Sequence, residues 1–144
     1  MVCTFFGHGN TSEEIKPKLE ETLIDLIENR NVHKFYVGNH GSFDHMVRRI
    51  LKEFKKKKYP FIDYAVVLAY LPTQKNKFPC DDYSDTIYPD GLENALPKFA
   101  ICKRNEWMIK QSDIVVTHVT HGFGGAALYK EKAERKGLEV INIE

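Results

Sequence analysis

Cysteine is scarce in this sequence, and its few copies lie far apart. The three, Cys3, Cys80 and Cys102, are an odd number and form no Cys-x-x-Cys pair. This usage argues against a disulfide framework and fits a reducing compartment. No basic leader precedes the first apolar segment, so we expect no signal peptide and a cytoplasmic location.

Long apolar runs and an excess of one charge are also missing. No run approaches the roughly 20 residues that a membrane helix needs, and the formal net charge is +1. Such a balance gives no electrostatic reason to bind a membrane or nucleic acid, so we predict no membrane partner and regard nucleic acid as unfavoured. The 144 residues suit a single domain, 1–144, with a sizeable core.

Short apolar segments alternate with amphipathic ones along the chain. Strands are predicted at 2–6, 34–37, 63–71, 114–119 and 139–143, and helices after Thr11, after Gly41, at 100–111 and at 126–135. Thr11 and Glu14 have the spacing of a capping box. Because alternation of this kind indicates parallel pairing with right-handed crossovers, we predict an α/β fold, a Rossmann-like three-layer α/β/α sandwich around a mainly parallel five-stranded sheet.

One segment interrupts this alternation. Residues 73–97 are polar and rich in turn formers. An irregular stretch of this length is often a binding loop or lid, and Tyr83 and Tyr88 could stack on a base or sugar. A variable insertion that packs on the surface would have the same composition, so both interpretations stay open.

Three predicted strands end in glycine-rich turns, at 7–9, 38–41 and 121–125. The last of these leads from a β-branched strand into a helix. The first N–H groups of a helix have no internal partner and carry the positive end of its dipole, so such a unit can bind phosphate. One turn of this type also occurs as a plain tight connection. Three that meet at the carboxyl edge of a parallel sheet favour a phosphate or nucleotide site.

Four segments together resemble the SLOG superfamily, and within it the small stand-alone proteins related to the YpsA group. They are 5–8, 36–44, 104–109 and 112–127, in the family order. The resemblance implies a Rossmann-like pocket for a nucleotide or nucleotide-derived ligand, and leaves a homodimer open. The superfamily includes the DNA-binding protein DprA and the LOG enzymes, phosphoribohydrolases that release the base from a nucleoside monophosphate.

The catalytic part of the LOG pattern is incomplete in this chain. Arg104 and Met108 match its arginine and methionine, but Leu128 occupies the position of its glutamate. Leucine cannot act as a general base or stabilise an oxocarbenium-like centre. The departure favours binding over cleavage. If there is chemistry, the carboxylate would come from one of three candidates: Asp44, Glu106 or Glu131.

The preferred prediction is a domain that binds or senses a small nucleotide-derived ligand without chemistry, without a metal ion and without a separate cofactor. The alternative is an enzyme acting on an N-glycosidic bond, either a phosphoribohydrolase or a relative of the nucleoside deoxyribosyltransferases. Binding of single-stranded DNA in the manner of DprA is less favoured, because the chain has no basic excess.

Each predicted site residue has an expected role. Amides of the last glycine turn hold the phosphate, Arg104 adds a charged contact, Asn39 and Asn105 bind ribose hydroxyls, and His8 closes over the ligand. Asp44 is either an acid of the site or a helix-start residue favoured by the dipole. Trp107 and Met108 are expected in the core. The predicted ligand- and phosphate-binding residues are Gly7, His8, Asn10, Gly38, Asn39, Gly41, Asp44, Arg104, Asn105, His121, Gly122, Gly124 and Gly125.

Overall fold

Strands and helices alternate in the computed structural model, which describes residues 1–71 and 84–144. The strands are β1 (Val2–Gly7), β2 (Lys34–Val37), β3 (Asp63–Val67), β4 (Thr86–Ile87), β5 (Ile114–His118) and β6 (Glu139–Asn142). The α-helices are α1 (Lys16–Asn29), α2 (Gly41–Lys57), α3 (Ala100–Gln111) and α4 (Gly125–Arg135). Short 3-10 turns lie at Glu13–Ile15, Leu92–Asn94 and Pro97–Phe99.

The strands form one sheet in the order β4-β3-β2-β1-β5-β6, and every pairing in it is parallel. This confirms the predicted Rossmann-like α/β/α class. The sheet has one strand more than predicted, because β4 lies inside the segment expected to be irregular. Two ladder bonds fix β4, from Val66 N–H to the Asp85 carbonyl at 2.8 Å and from Leu68 N–H to the Ile87 carbonyl at 2.9 Å. A two-residue strand is too short to show a periodicity.

Two apolar layers cover the two faces of the sheet. Leu19 and Leu23 of α1 pack with Phe43 and Met46 of α2 on one face, in a cluster that includes Phe35 of β2. Met108 and Ile109 of α3 pack with Tyr129 and Ala133 of α4 on the other, together with Phe6 of β1. β1 therefore contributes alternate side chains to both layers, as a central strand must.

The predicted capping box is displaced by one residue. The Ser12 hydroxyl accepts the N–H of Glu14 at 3.2 Å, while the Thr11 hydroxyl donates to the carbonyl of His8 at 2.8 Å. The reason is the short 3-10 turn at Glu13–Ile15, which begins the helical segment later than the sequence pattern indicates. Pro17 lies in the first turn of α1, where its missing N–H costs least.

The segment predicted as a loop or lid, 73–97, lies in part outside the described residues. Cys80 and Tyr83 lie outside the described residues. Tyr88 is half-buried and packs against the larger core cluster, so it does not stand free to stack on a ligand. The helices of residues 1–71 and 84–144 include none that is both long and apolar enough to cross a membrane.

Candidate ligand-binding cleft

A cleft opens where the chain reverses its direction across the sheet. From β1 the chain adds β2, β3 and β4 on one side, and it then crosses back to place β5 and β6 on the other. The gap beyond the carboxyl ends of β1 and β5 is the switch point at which such sheets bind ligands. The cleft there has a volume of about 520 Å³. Ten of the predicted residues line it: Gly7, His8, Asn10, Gly41, Asp44, Arg104, Asn105, His121, Gly124 and Gly125.

A larger depression of about 630 Å³ lies elsewhere, between α1 and β6. Exposed or half-buried side chains such as Lys18, Glu21 and Asp25 line it, and it contains none of the predicted site residues. We assign the site to the smaller cleft because that cleft holds buried polar groups, among them Arg104 and Asp44. Buried polar groups are costly for a fold, so they mark functional positions better than size does.

The first turn of α4 forms one wall of the cleft. Gly124 precedes the helix with φ +93°, a conformation that favours glycine, and offers no side chain as a cap. The first main-chain bond of the helix runs from Leu128 N–H to the Gly124 carbonyl at 3.1 Å. The amides of Gly125, Ala126 and Ala127 therefore have no partner within the helix. Gly125 and Ala126 line the cleft, so its wall carries the positive end of the α4 dipole.

The start of α2 reaches the same cleft but is already satisfied by the protein. Ser42 N–H donates to the Gly9 carbonyl at 2.9 Å, and His40 N–H donates to Asp44 Oδ2 at 3.1 Å. The α4 terminus is thus the better of the two for an anion. Gly122 lies in the turn before α4 but is absent from the lining of the cleft.

Arg104 supplies a buried positive charge to the cleft. Its side chain is 2% exposed, and its guanidinium donates to Asn105 Oδ1 at 2.7 Å, to Asn39 Oδ1 at 3.2 Å and to the Val67 carbonyl at 2.9 Å. These three acceptors are neutral. Burial lowers the pKa of Arg104, while the nearby Asp44 carboxyl opposes that shift. Arginine stays charged in proteins, so the floor of the cleft holds a buried positive charge beside the Asp44 carboxyl.

Asn39 and Asn105 both contact Arg104 within the protein. Their side-chain oxygens accept the guanidinium hydrogens of Arg104, and Asn39 is not among the lining residues. The two amides therefore orient the arginine. His40, which was not predicted, lies 3.3 Å from Arg104 Nη2 through its Nδ1. Since Arg104 can only donate, His40 Nδ1 acts as the acceptor and its proton lies on Nε2.

Asp44 is the one acidic group among the residues that line the cleft. It is 8% exposed, and burial raises the pKa of its carboxyl to about 6, against the opposing effects of Arg104 and the His40 amide. It lies in the first turn of α2 as well, so both roles expected for it are compatible with its position. Gly38 lies directly beside both Asp44 and Arg104. A Cβ on Gly38 would be 2.8 Å from Asp44 Oδ2 and 3.0 Å from Arg104 Nη1. Gly38 thus makes room for the charged groups.

Asp44→Asn is expected to remove a pH dependence of stability. A carboxyl whose pKa is higher in the folded than in the unfolded state stabilises most below pH 3.8 and loses that contribution as the pH rises through about 6. The unfolding free energy of the variant, relative to wild type, should therefore increase by about 2 kcal/mol between pH 4 and pH 7. Urea unfolding at pH 4, 5, 6 and 7 measures this difference.

The exposed Asp90 supplies the matched control for that experiment. Asp90→Asn should alter the unfolding free energy by less than about 0.5 kcal/mol across the same range. A difference between Asp44→Asn and wild type that stays flat from pH 4 to pH 7 would contradict the assignment of Asp44 as a group titrating near 6.

Three rings form a column beside the cleft; His8 and His121 line the cleft and Phe123 does not. His8 stacks on His121 with centroids 3.8 Å apart and planes at 17°, and His121 stacks on Phe123 at 3.9 Å and 22°. Thr120 N–H donates to His8 Nε2 at 3.0 Å, so His8 is neutral with its proton on Nδ1. Burial, followed by His121 and His118, lowers the pKa of His8 and so favours this neutral form. Phe123 was not predicted as a site residue, and its one distinguishing feature in the sequence is that it lies between two glycines.

The remaining catalytic candidates lie outside the cleft. Glu106 is 3.4 Å from Lys132 Nζ, and Glu131 forms an exposed ion pair with Arg135 at 2.5 Å. Leu128 is 46% exposed on α4 and does not line the cleft either. A hydrolytic reaction in this cleft would thus depend on Asp44.

The other lining residues are apolar or small and were not predicted as site residues. Met108 is buried at the cleft floor and also belongs to the core, as expected, whereas Trp107 is half-buried against Tyr36 and away from the cleft. Tyr129 of α4 is buried and stacks on Phe6 at 5.4 Å. The lining residues that sequence reasoning missed are Phe5, Phe6, Gly9, His40, Ile101, Ala126 and Tyr129.

Comparison with known proteins adds no relative to this description. No protein-family model matches the chain, and no curated protein matches it. Fold and cleft together define a Rossmann-like α/β protein with a polar cleft at the switch point of its sheet, which holds a buried arginine and a buried aspartate. The resemblance to the SLOG superfamily stays a prediction from the sequence motifs.

Proposed function

We propose that the cleft binds the phosphate of a nucleotide-derived ligand and that the protein is a binding or sensing module without chemistry of its own. The observation that carries the proposal is the meeting of two anion-binding features in one cleft: the open first turn of α4 at Gly125 and the buried guanidinium of Arg104. An anion there would receive amide hydrogen bonds, the helix dipole and a charge in a low-dielectric setting.

The size and lining of the cleft support a small organic ligand. A volume of about 520 Å³ falls within the range of small-molecule sites. Apolar groups such as Phe6 and Ile101 alternate with the polar ones along its walls. The motifs shared with the SLOG superfamily support a nucleotide or a derivative of one, and a module of that superfamily is what we propose this chain to be.

The placement of the three candidate carboxylates supports binding over cleavage. Of the three candidates only Asp44 reaches the cleft, and one of its oxygens accepts the His40 amide. A specific observation nevertheless favours N-glycosidase activity as the second candidate. A carboxyl with a pKa of about 6 can donate or accept a proton near neutral pH, as a general acid or base must.

Gly125→Pro is expected to weaken binding of a nucleotide by about tenfold or more. Proline is favoured at the first position of a helix, so α4 should form normally, but the amide that would bind the phosphate is removed. Loss of one hydrogen bond to a charged group accounts for the size of the effect. Thermal shift and titration calorimetry with nucleoside monophosphates, NAD and ADP-ribose measure it.

Gly125→Ala is the matched control, because it keeps the amide and its added Cβ meets nothing within 4 Å. It should bind within about threefold of wild type. Equal binding by the proline variant, with wild type binding normally, would contradict the proposed phosphate site. Chromatography of the same mixtures for released base separates the two functions: released base that Asp44→Asn abolishes would establish the enzyme instead of the binding module.

A further inference from the structure

We propose that the exposed face of Phe123 is a stacking subsite for the base of the ligand, so that the protein selects phosphorylated compounds that carry an aromatic ring. The inference rests on the proposed function, because it takes the phosphate to bind at the start of α4. It identifies a contact for the base of the ligand, which a phosphate site alone cannot specify.

Phe123 is exposed to an unusual degree for its type. At 72% it is the most exposed of the large apolar side chains in residues 1–71 and 84–144. One face of its ring is covered by His121 at 3.9 Å, so the exposure falls on the other face and the edges. A planar base placed on that face would extend the column from three rings to four. Bases of every kind present a π-face, so this contact recognises an aromatic ring without reading its edge.

The column is held in place before any ligand arrives. His8 follows β1 directly and is fixed by the Thr120 amide, and His121 lies between His8 and Phe123. The stack therefore joins two separate loops, the one after β1 and the one after β5. A platform ordered in advance loses little conformational freedom on binding, which makes its contribution to affinity larger.

The platform also adjoins the proposed phosphate site. The His121 ring lies 3.9 Å from the position of a Cβ on Gly124, the residue that immediately precedes α4. Phe123 is two residues before Gly125, whose amide is the first free donor of the helix. Two residues span at most about 7 Å, so the backbone positions of Phe123 and Gly125 lie close together.

The test compares adenosine monophosphate with ribose 5-phosphate by titration calorimetry. The two share a phosphate and a sugar and differ in the base. Wild type is expected to bind adenosine monophosphate about tenfold more tightly. Phe123→Ala should remove that difference while its affinity for ribose 5-phosphate stays within about twofold of wild type. Phe123→Tyr keeps a stacking ring and should restore the preference.

Leu128→Ala is the control for loss of exposed apolar surface, since Leu128 is 46% exposed on the adjoining helix and outside the column. It should leave the preference unchanged. Equal wild-type affinity for the two compounds, or an equal loss for both in Phe123→Ala, would overturn the base subsite and leave the phosphate site standing. Failure of wild type to bind either compound would overturn the proposed function and this inference with it.

Discussion

Arg104→Met is expected to lower the free energy of unfolding by about 4 kcal/mol at pH 7. The substitution keeps most of the volume of the side chain but leaves four acceptors without their donor. Two of them, Asn105 Oδ1 and the Val67 carbonyl, are buried, while Asn39 is half-buried and His40 exposed. Each buried acceptor left unsatisfied costs about 1–3 kcal/mol, and part of the sum is offset because the charge no longer has to be desolvated. Urea unfolding followed by circular dichroism measures the loss.

Lys103→Met is the matched control on the same helix. Lys103 is 59% exposed, and its Nζ lies 3.9 Å from Glu106, a surface pair worth little. Its loss should change the unfolding free energy by no more than about 0.5 kcal/mol. A loss below about 1 kcal/mol for Arg104→Met would mean that the guanidinium contacts do not hold the fold. If the loss is large, Arg104 is a poor position for testing binding alone, which is why the phosphate site is better tested at Gly125.

Gly41→Ala is expected to lower the free energy of unfolding by about 3 kcal/mol. Gly41 has φ +88°, a region that costs an L side chain about 1–2 kcal/mol. In addition, its Cβ would lie 2.5 Å from the Cα of Gly9, so the two loops would have to separate. Such forced shifts in a packed region typically cost a further 1–3 kcal/mol or so. Thermal and urea unfolding give the value.

Two other glycines separate the causes of that loss. Gly137 has φ +81° and open space around its Cβ position, so Gly137→Ala measures the backbone conformation alone. Gly9 has neither a positive φ nor a neighbour within 4 Å of its own Cβ position, so Gly9→Ala should be nearly neutral. If Gly41→Ala lowers the free energy of unfolding no more than Gly137→Ala does, the close approach of the two loops does not contribute to the loss.

The class of fold was predictable because it depends on alternation of local patterns. The β2 and α3 bounds agree with the sequence prediction, since their apolar periods stop at clear polar or turn residues. β3 ends at Val67, earlier than predicted, although Leu68 and Ala69 remain buried. Apolar composition reports burial there, whereas the extent of a strand also depends on the length of its partner: β4 ends at Ile87, whose carbonyl accepts the Leu68 N–H. The register of the sheet decides which residues pair, and no local sequence pattern encodes that register.

The place of the candidate cleft was predictable, and the contacts that its residues make within the protein were not. Parallel strands bring their carboxyl ends to one edge, so turns after β1, β2 and β5 had to meet. Within those turns, however, Gly7 makes room for the Phe43 ring and Gly38 for Asp44, while Gly125 faces the open cleft. A glycine that packing requires and a glycine that a ligand requires cannot be told apart in sequence. The difference lies in which distant atoms approach the α-carbon of each.

The ring column shows the same limit for aromatic residues. His8 and His121 belong to turns after β1 and β5, and only pairing of those strands sets their rings 3.8 Å apart. The His121 ring in turn stacks on one face of Phe123. The sequence marked the two turns separately as glycine-rich, and it contained no sign that the rings between the glycines would stack.

The central place of β1 in the sheet has a consequence for the order of folding. β1 pairs on one side with β2, about 30 residues away, and on the other with β5, where Val2 N–H donates to Asp113 Oδ2 across 111 residues of chain. Contacts between such distant segments form slowly, and a nascent chain would leave one edge of β1 unpaired until β5 is synthesised. The cleft needs the turns after both strands, so we expect affinity for the ligand to be acquired in a late step of folding.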